Sequence, residues 1–155
     1  MDRSKRLNIK YSLIMFFYYI VNASFGAYGT IFLLERGLRE ARIGVIFSVA
    51  SILALLFQVI LSRLYKVLSE LGTKEFLKIL TILSFILVLG LNYFKAMTPT
   101  AVFFVLSWAS FLSMVPLLSS IFIEFNNIGY ETNFNIPRAF GSLSYSIACV
   151  FYGRF

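Results

Sequence analysis

The sequence has no histidine and one cysteine, Cys149. A single cysteine cannot close an intramolecular disulfide, and without histidine no ligand spacing for a metal emerges. No nucleophile–base pair or phosphate-binding loop is present either, so an enzyme is not expected and no cofactor is implied. Charge is scarce: 14% of residues are Asp, Glu, Lys or Arg, against about 25% in an ordinary soluble domain. Internal repeats and low-complexity tracts are absent. The first apolar run is too long for a signal-peptide core and lacks a small-x-small cleavage site, so it is expected to stay in the membrane.

What the chain has in excess is apolar surface. Its 155 residues are 59% hydrophobic, with mean hydropathy +0.84, beyond the roughly 45–50% apolar usage of soluble domains. That composition predicts an integral membrane protein whose first partner is the lipid bilayer. The net charge of +7 sits mostly in segments flanking hydrophobic runs. It is read as topology and headgroup contact, and nucleic acid is not an expected partner. The many Phe and Tyr are read as lipid-facing or interfacial side chains, and Cys149 as a small apolar filler.

Apolar periodicity and polar breaks predict an all-α, polytopic membrane helix bundle of about five transmembrane helices, at 11–34, 43–61, 76–94, 100–123 and 137–153. The first run, at a rise of about 1.5 Å per residue, is long enough to cross a hydrocarbon core of about 30 Å. Its second half collects Ala23, Gly26, Ala27 and Gly29, which lets a neighbouring helix approach closely. Asn22 is its most central polar residue. Gly37 marks a helix stop. Gln58, near the far end of the second run, is expected to tie two helices together. Lys78 can snorkel to the surface. The fourth run carries Ser107, Ser110, Ser113 and Pro116, and such a proline requires a neighbour to recapture the carbonyl it frees. Glu124 and Glu131 are read as solvated charges bracketing a polar loop.

Lys and Arg bias sets the orientation. Arg3, Lys5, Arg6 and Lys10 precede the first run, and Arg63, Lys66, Lys74 and Lys78 follow the second. The opposite side carries Arg36, Arg39, Arg42 and Lys95. Arg138, at the end of the fourth loop, adds to the first side. The bias places the N-terminus in the cytoplasm, with a bacterial inner membrane as the expected location.

The stretch from Asn133 to Val150, NFNIPRAFGSLSYSIACV, organises the rest. Pro137 sits where a helix would begin. Arg138, Ser142 and Tyr145 follow at i, i+4 and i+7, on one helical face. A cation, a hydroxyl and an aromatic ring on one face could grip a small polar solute. Against that, Arg138 could simply cap the helix entry or reach phosphate headgroups. Tyr145, Ser142 and Ser146 could be packing residues, and Asn22 could make an interhelical hydrogen bond.

Three pieces carry a family resemblance: GAYGTIFLLERGLREARIG, SVASILALLFQVILSRLYK, and VPLLSS with NFNIPRAFGSLSY. Together they resemble the first, second, fourth and fifth helices of the major facilitator superfamily, in its oligosaccharide–proton symporter group of lactose permease type. The resemblance implies that the chain is an incomplete N-terminal half of a major facilitator fold, less than half of a twelve-helix protein. It implies a sugar or glycoside as solute, with Arg138 donating to sugar hydroxyls and Tyr145 stacking on the ring. Ser142, Asn22 and Ser119 join these as expected substrate-binding positions.

The departures from the pattern are specific. Ser119 stands where the lactose permease type has a sugar-binding carboxylate. Val59 replaces the proline after Gln58, Lys66 replaces a loop aspartate, and Asn135 replaces a glycine. The proton-coupling residues of the family belong to the half that is missing, so such a chain is expected to perform no net transport alone. That half, or another membrane protein, is its expected partner. The alternative is a small helical membrane protein that assembles with or regulates another membrane protein, or with copies of itself.

Overall fold

The computed structural model describes residues 3–67, 72–94, 96–127, 129 and 135–154, with no side-chain description at Arg3 and 65–67. The expectations for the Lys66 side chain, Lys95, Glu131 and Asn133 lie outside the described residues. Within them every regular element is a helix: α1 (Arg3–Ala23), a π-helical segment (Ser24–Tyr28), α2 (Gly29–Glu35), α3 (Glu40–Val67), α4 (Thr73–Tyr93), α5 (Met97–Leu112), α6 (Met114–Asn127) and α7 (Asn135–Tyr152). Four stretches are long and apolar enough to cross a membrane: Ser4–Glu35, Glu40–Leu64, Thr73–Tyr93 and Met97–Asn127. That is what an integral membrane protein requires. The fifth expected span falls on the helix α7, of 18 residues, which does not stand among those four.

Helices overrun the apolar runs at several ends. α1 starts at Arg3, α3 runs to Val67, and α6 carries Glu124 inside it and ends at Asn127. Charged residues such as Lys, Arg and Glu are good helix formers, so a helix continues past the point where hydropathy falls.

The chain divides into two compact units, 1–32 with 122–155, and 33–121. In the second unit α5 packs against both α3 and α4. Its buried residues include Thr100, Phe104, Ser107, Trp108, Ser110 and Phe111. Toward α3, the rings of Phe104 and Trp108 meet Phe47 edge-on, at centroid distances of 5.3 and 6.3 Å. Such edge contacts suit the ring quadrupoles. Toward α4, the ring of Phe103 occupies the space beside Gly90, 2.5 Å from where a Cβ would stand. Any larger residue there would displace the ring.

The turn after α2 ends as its glycine foretells. Gly37 has φ +82°, its N–H donates to Leu34 O, and Leu38 N–H donates to Leu33 O. This is a Schellman closure, and Leu38 is buried beside it. Arg36 then donates to the carbonyl of Phe94 at 3.1 Å, occupying an acceptor at the end of α4.

Pro116 and Gln58 act as one device. Pro116 has no N–H, so Leu112 O, four residues earlier, lacks its helical donor. The helix is interrupted at Ser113, between α5 and α6. Gln58 Nε2 donates to that same Leu112 carbonyl at 3.5 Å, and Ser113 Oγ donates to Ser110 O at 2.7 Å. The amide thus ties α3 to the freed acceptor. Replacing Gln58 with Leu should therefore destabilise the wild-type chain by about 1 kcal/mol. In a Pro116→Ala background, where Leu112 regains its own N–H partner, the same change should cost close to nothing. Thermal unfolding of the four variants in detergent micelles measures this coupling.

Candidate functional site

In the first unit α1 and α7 form the main helix pair. α7 turns Pro137, Gly141, Ser144 and Ala148 inward, and all four are buried. These are small or compact residues at i, i+4, i+7 and i+11, one stripe of the helix. At Gly141 a Cβ would lie 2.6 Å from Tyr19 Cδ2, so the Tyr19 ring occupies the volume that a side chain would fill. Ser144 is fully buried, and its hydroxyl lies 3.0 Å from Phe16 O on α1 and 2.7 Å from Gly141 O on its own helix. Pro137 falls in the first turn of α7. The helix begins two residues earlier than expected, at Asn135. The first-turn amides have no helical acceptor, so proline is tolerated there.

The π-helical segment lies against the other half of α7. Ser24 Oγ donates to Ile20 O at 3.1 Å and shares a 2.5 Å hydrogen bond with the Tyr152 hydroxyl. The rings of Tyr28 and Tyr152 stand 5.4 Å apart, tilted by 58°. The Tyr145 hydroxyl lies over Gly26, 3.6 Å from where a Cβ would be. The Gly/Ala cluster of the first run therefore does admit a neighbouring helix, and that neighbour is α7. Single π turns inside α-helices recur at functional sites because they break the regular bonding pattern.

The expected solute-binding residues divide by environment. Tyr145 is half-buried beside the π segment. Arg138 and Ser142 are exposed on the shoulder of α7 next to the packed stripe. Ser142 Oγ donates to Arg138 O at 3.2 Å, and Ser146 Oγ to Ser142 O at 3.1 Å, so both hydroxyls fold back on their own helix. The Arg138 guanidinium makes no ion pair or hydrogen bond among the described residues. Asn22 is half-buried on α1. Ser119 belongs to the other unit, where its hydroxyl donates to Val115 O at 3.1 Å. Among the described residues, no group of three or more His, Cys, Asp or Glu could hold a metal ion.

Ser24, Tyr28, Tyr152 and Ser144 were not foreseen. A serine and two tyrosines have no signature until the π turn brings them together. Ser144 is one of three serines at alternate positions, and only the stripe set by Gly141 singles it out.

Around α7 the side chains fall into three strips, using about 100° of turn per residue. The packed strip is Pro137, Gly141, Ser144 and Ala148. The polar shoulder is Arg138, Ser142, Tyr145 and Cys149. The remaining side exposes Ile136, Phe140, Leu143, Ile147, Val150 and Phe151. Each strip follows one helical row, so packed, polar and exposed apolar side chains occupy separate sides of one helix.

The contact of Gly141 with Tyr19 yields a specific expectation. Gly141→Leu should destabilise the chain by roughly 1–3 kcal/mol, the usual penalty for overpacking a fitted contact. Adding Tyr19→Ala should restore part of that loss by vacating the same volume. Unfolding temperatures of the single and double variants in micelles would show this as non-additivity.

Compared with protein-family models, curated proteins and solved structures, the chain matches none.

Proposed function

We propose that this chain is the N-terminal part of a major-facilitator-type transporter for a sugar or glycoside. In this reading it resides in a bacterial inner membrane with its N-terminus in the cytoplasm. The polar shoulder of α7 forms one wall of the solute pathway. The observation that carries the reading is the three-strip division of that helix. An exposed guanidinium and hydroxyl lie on a different side from the exposed apolar residues of the same helix. Ionisable groups within membrane segments face a protein interior or a water-filled cavity. Arg138 has five donors to offer solute hydroxyls, and the Tyr145 ring can cover the apolar side of a sugar. Ser142 gives weaker support, since its hydroxyl already has a partner on its own helix, and Asn22 lies half-buried on α1.

Transport in such a protein comes from rocking of two halves about a central site. One half supplies a wall and not a cycle. Cells carrying residues 1–155 alone should therefore take up labelled sugar no faster than empty-vector controls. The wall itself is tested by cysteine accessibility in a Cys149→Ala background. Ser142→Cys and Arg138→Cys should react with a water-soluble maleimide, whereas Leu143→Cys and Ile147→Cys should not. Equal reactivity on both strips would overturn the reading.

The second reading is an assembly or regulatory partner of another membrane protein. It is favoured by α3, where Gly44, Ser48 and Ser51 form an exposed row. Ser48 Oγ donates to Gly44 O and Ser51 Oγ to Phe47 O, both at 2.9 Å, which leaves a smooth helix surface. Such surfaces allow close helix approach in membranes. Cross-linking at Ser48→Cys that captures a second polypeptide, together with an unreactive shoulder, would favour it over the transporter.

A further inference from the structure

A groove of about 300 Å³ opens in the second unit between the start of α3 and the start of α5. Leu38, Val45, Ile46, Met97 and Ala101 line it with apolar surface, and Arg42 and Thr98 are its polar lining. Arg42 is exposed and makes no side-chain ion pair or hydrogen bond among the described residues. Its neighbours on the turn and the first turn of α3 are Glu35, Arg36, Arg39 and Glu40. Arg36 is already engaged with the Phe94 carbonyl. The three arginines outnumber the two glutamates.

The arrangement along α3 is polarised. Val45 and Ile46 follow Arg42 at i+3 and i+4, so they lie below it on the same face. The face continues into the exposed side chains Val49, Leu56 and Ile60. From Val45 to Ile60 this apolar track runs about 22 Å, at 1.5 Å per residue. Thr98 stands in the first turn of α5, whose N-terminus has no side-chain cap. A cation and a hydroxyl at one end, with a long apolar track leading away from them, match an amphiphile with an anionic head.

We propose that this groove seats one acyl chain of an anionic phospholipid, with the headgroup phosphate held by Arg42 and Thr98. A guanidinium presents parallel donors to two phosphate oxygens, which a lysine cannot do. The threonine hydroxyl supplies a further donor. The groove takes the first part of the acyl chain, and the row on α3 carries the rest toward the bilayer midplane. A zwitterionic lipid would fit the apolar track equally well. Its choline would add a second cation beside Arg42, so charge decides between the two lipids.

The test uses the full chain in detergent, incubated with an equal mixture of phosphatidylglycerol and phosphatidylcholine of matched acyl chains. Bound lipid is counted by native mass spectrometry. The wild type should retain phosphatidylglycerol about 5-fold over phosphatidylcholine, the equivalent of about 1 kcal/mol for one basic residue at the membrane surface. Arg42→Ala should abolish the preference, Arg42→Lys should keep part of it, and Arg63→Ala should leave it unchanged. Ala101→Trp, which fills the groove, should reduce retention of both lipids. Circular dichroism establishes that each variant is folded. Equal retention of the two lipids by the wild type would overturn the proposal. So would an unchanged preference in Arg42→Ala, or displacement of phosphatidylglycerol by inorganic phosphate alone.

Discussion

A backbone amide or carbonyl inside hydrocarbon has no water to turn to, and leaving it unpaired costs several kcal/mol. Regular helix satisfies this requirement at every interior residue, and most of the chain is regular helix. The informative positions are those where helix gives way. At several of them a side chain reaches a carbonyl at the break. Gln58 reaches the carbonyl freed by Pro116. Ser113 returns its hydroxyl to Ser110 O at the same break. Thr100 Oγ1 serves Phe94 O and Ala96 O at the entry of α5, with Arg36 on Phe94 O as well. Ser24 holds Ile20 O where α1 passes into the π turn. Polar residues in the apolar runs are thus committed largely to the backbone, which limits how many are left for a solute.

That commitment sorts the candidate residues. A serine whose hydroxyl already donates to the carbonyl four residues earlier keeps only its acceptor capacity toward a ligand. Ser119 and Ser142 are in this state. Arg138 differs, because its guanidinium has donors beyond anything its own helix can accept. Tyr145 differs too, because its ring face is a recognition surface independent of its hydroxyl. The case for a solute site therefore rests on these two side chains. They lie about 10 Å apart along the helix axis by their seven-residue spacing, a distance a disaccharide-sized solute can bridge.

Much of this organisation was legible in the sequence, for reasons that differ by residue. Gly37 could be placed because only glycine takes a positive φ at a helix C-terminus without strain. Pro116 announced a free carbonyl, and Gln58 announced a buried amide in need of an acceptor. Their being partners needed three dimensions, since 58 residues of chain separate them. The Gly/Ala cluster at 23–29 announced a close helix neighbour without naming α7. Hydropathy located the apolar cores of the helices and undershot several ends, because it stops at charges that helices accommodate readily. The π turn left no mark, as its residues are ordinary ones whose bonding alone is unusual. Arg138, Ser142 and Tyr145 were correctly assigned to one face. Periodicity could not say that the packed face is the adjacent row, because serine at 142 and serine at 144 carry the same chemistry.

The adjacency of those rows matters for mechanism. Packing fixes one strip of α7 against α1 through contacts that tolerate little change: a ring in the place of a Cβ at Gly141, and a buried hydroxyl crossing to Phe16 O. Close-packed contacts of this kind shift between discrete arrangements and do not deform smoothly. The polar row is displaced from the packed row by roughly 100° of helix rotation. The direction in which this row leaves the helix axis is therefore set by the tight row. The Arg138 guanidinium itself makes no ion pair or hydrogen bond among the described residues. In the proposed transporter the small residues of α7 act at one remove, because they hold the polar row in position without touching a solute.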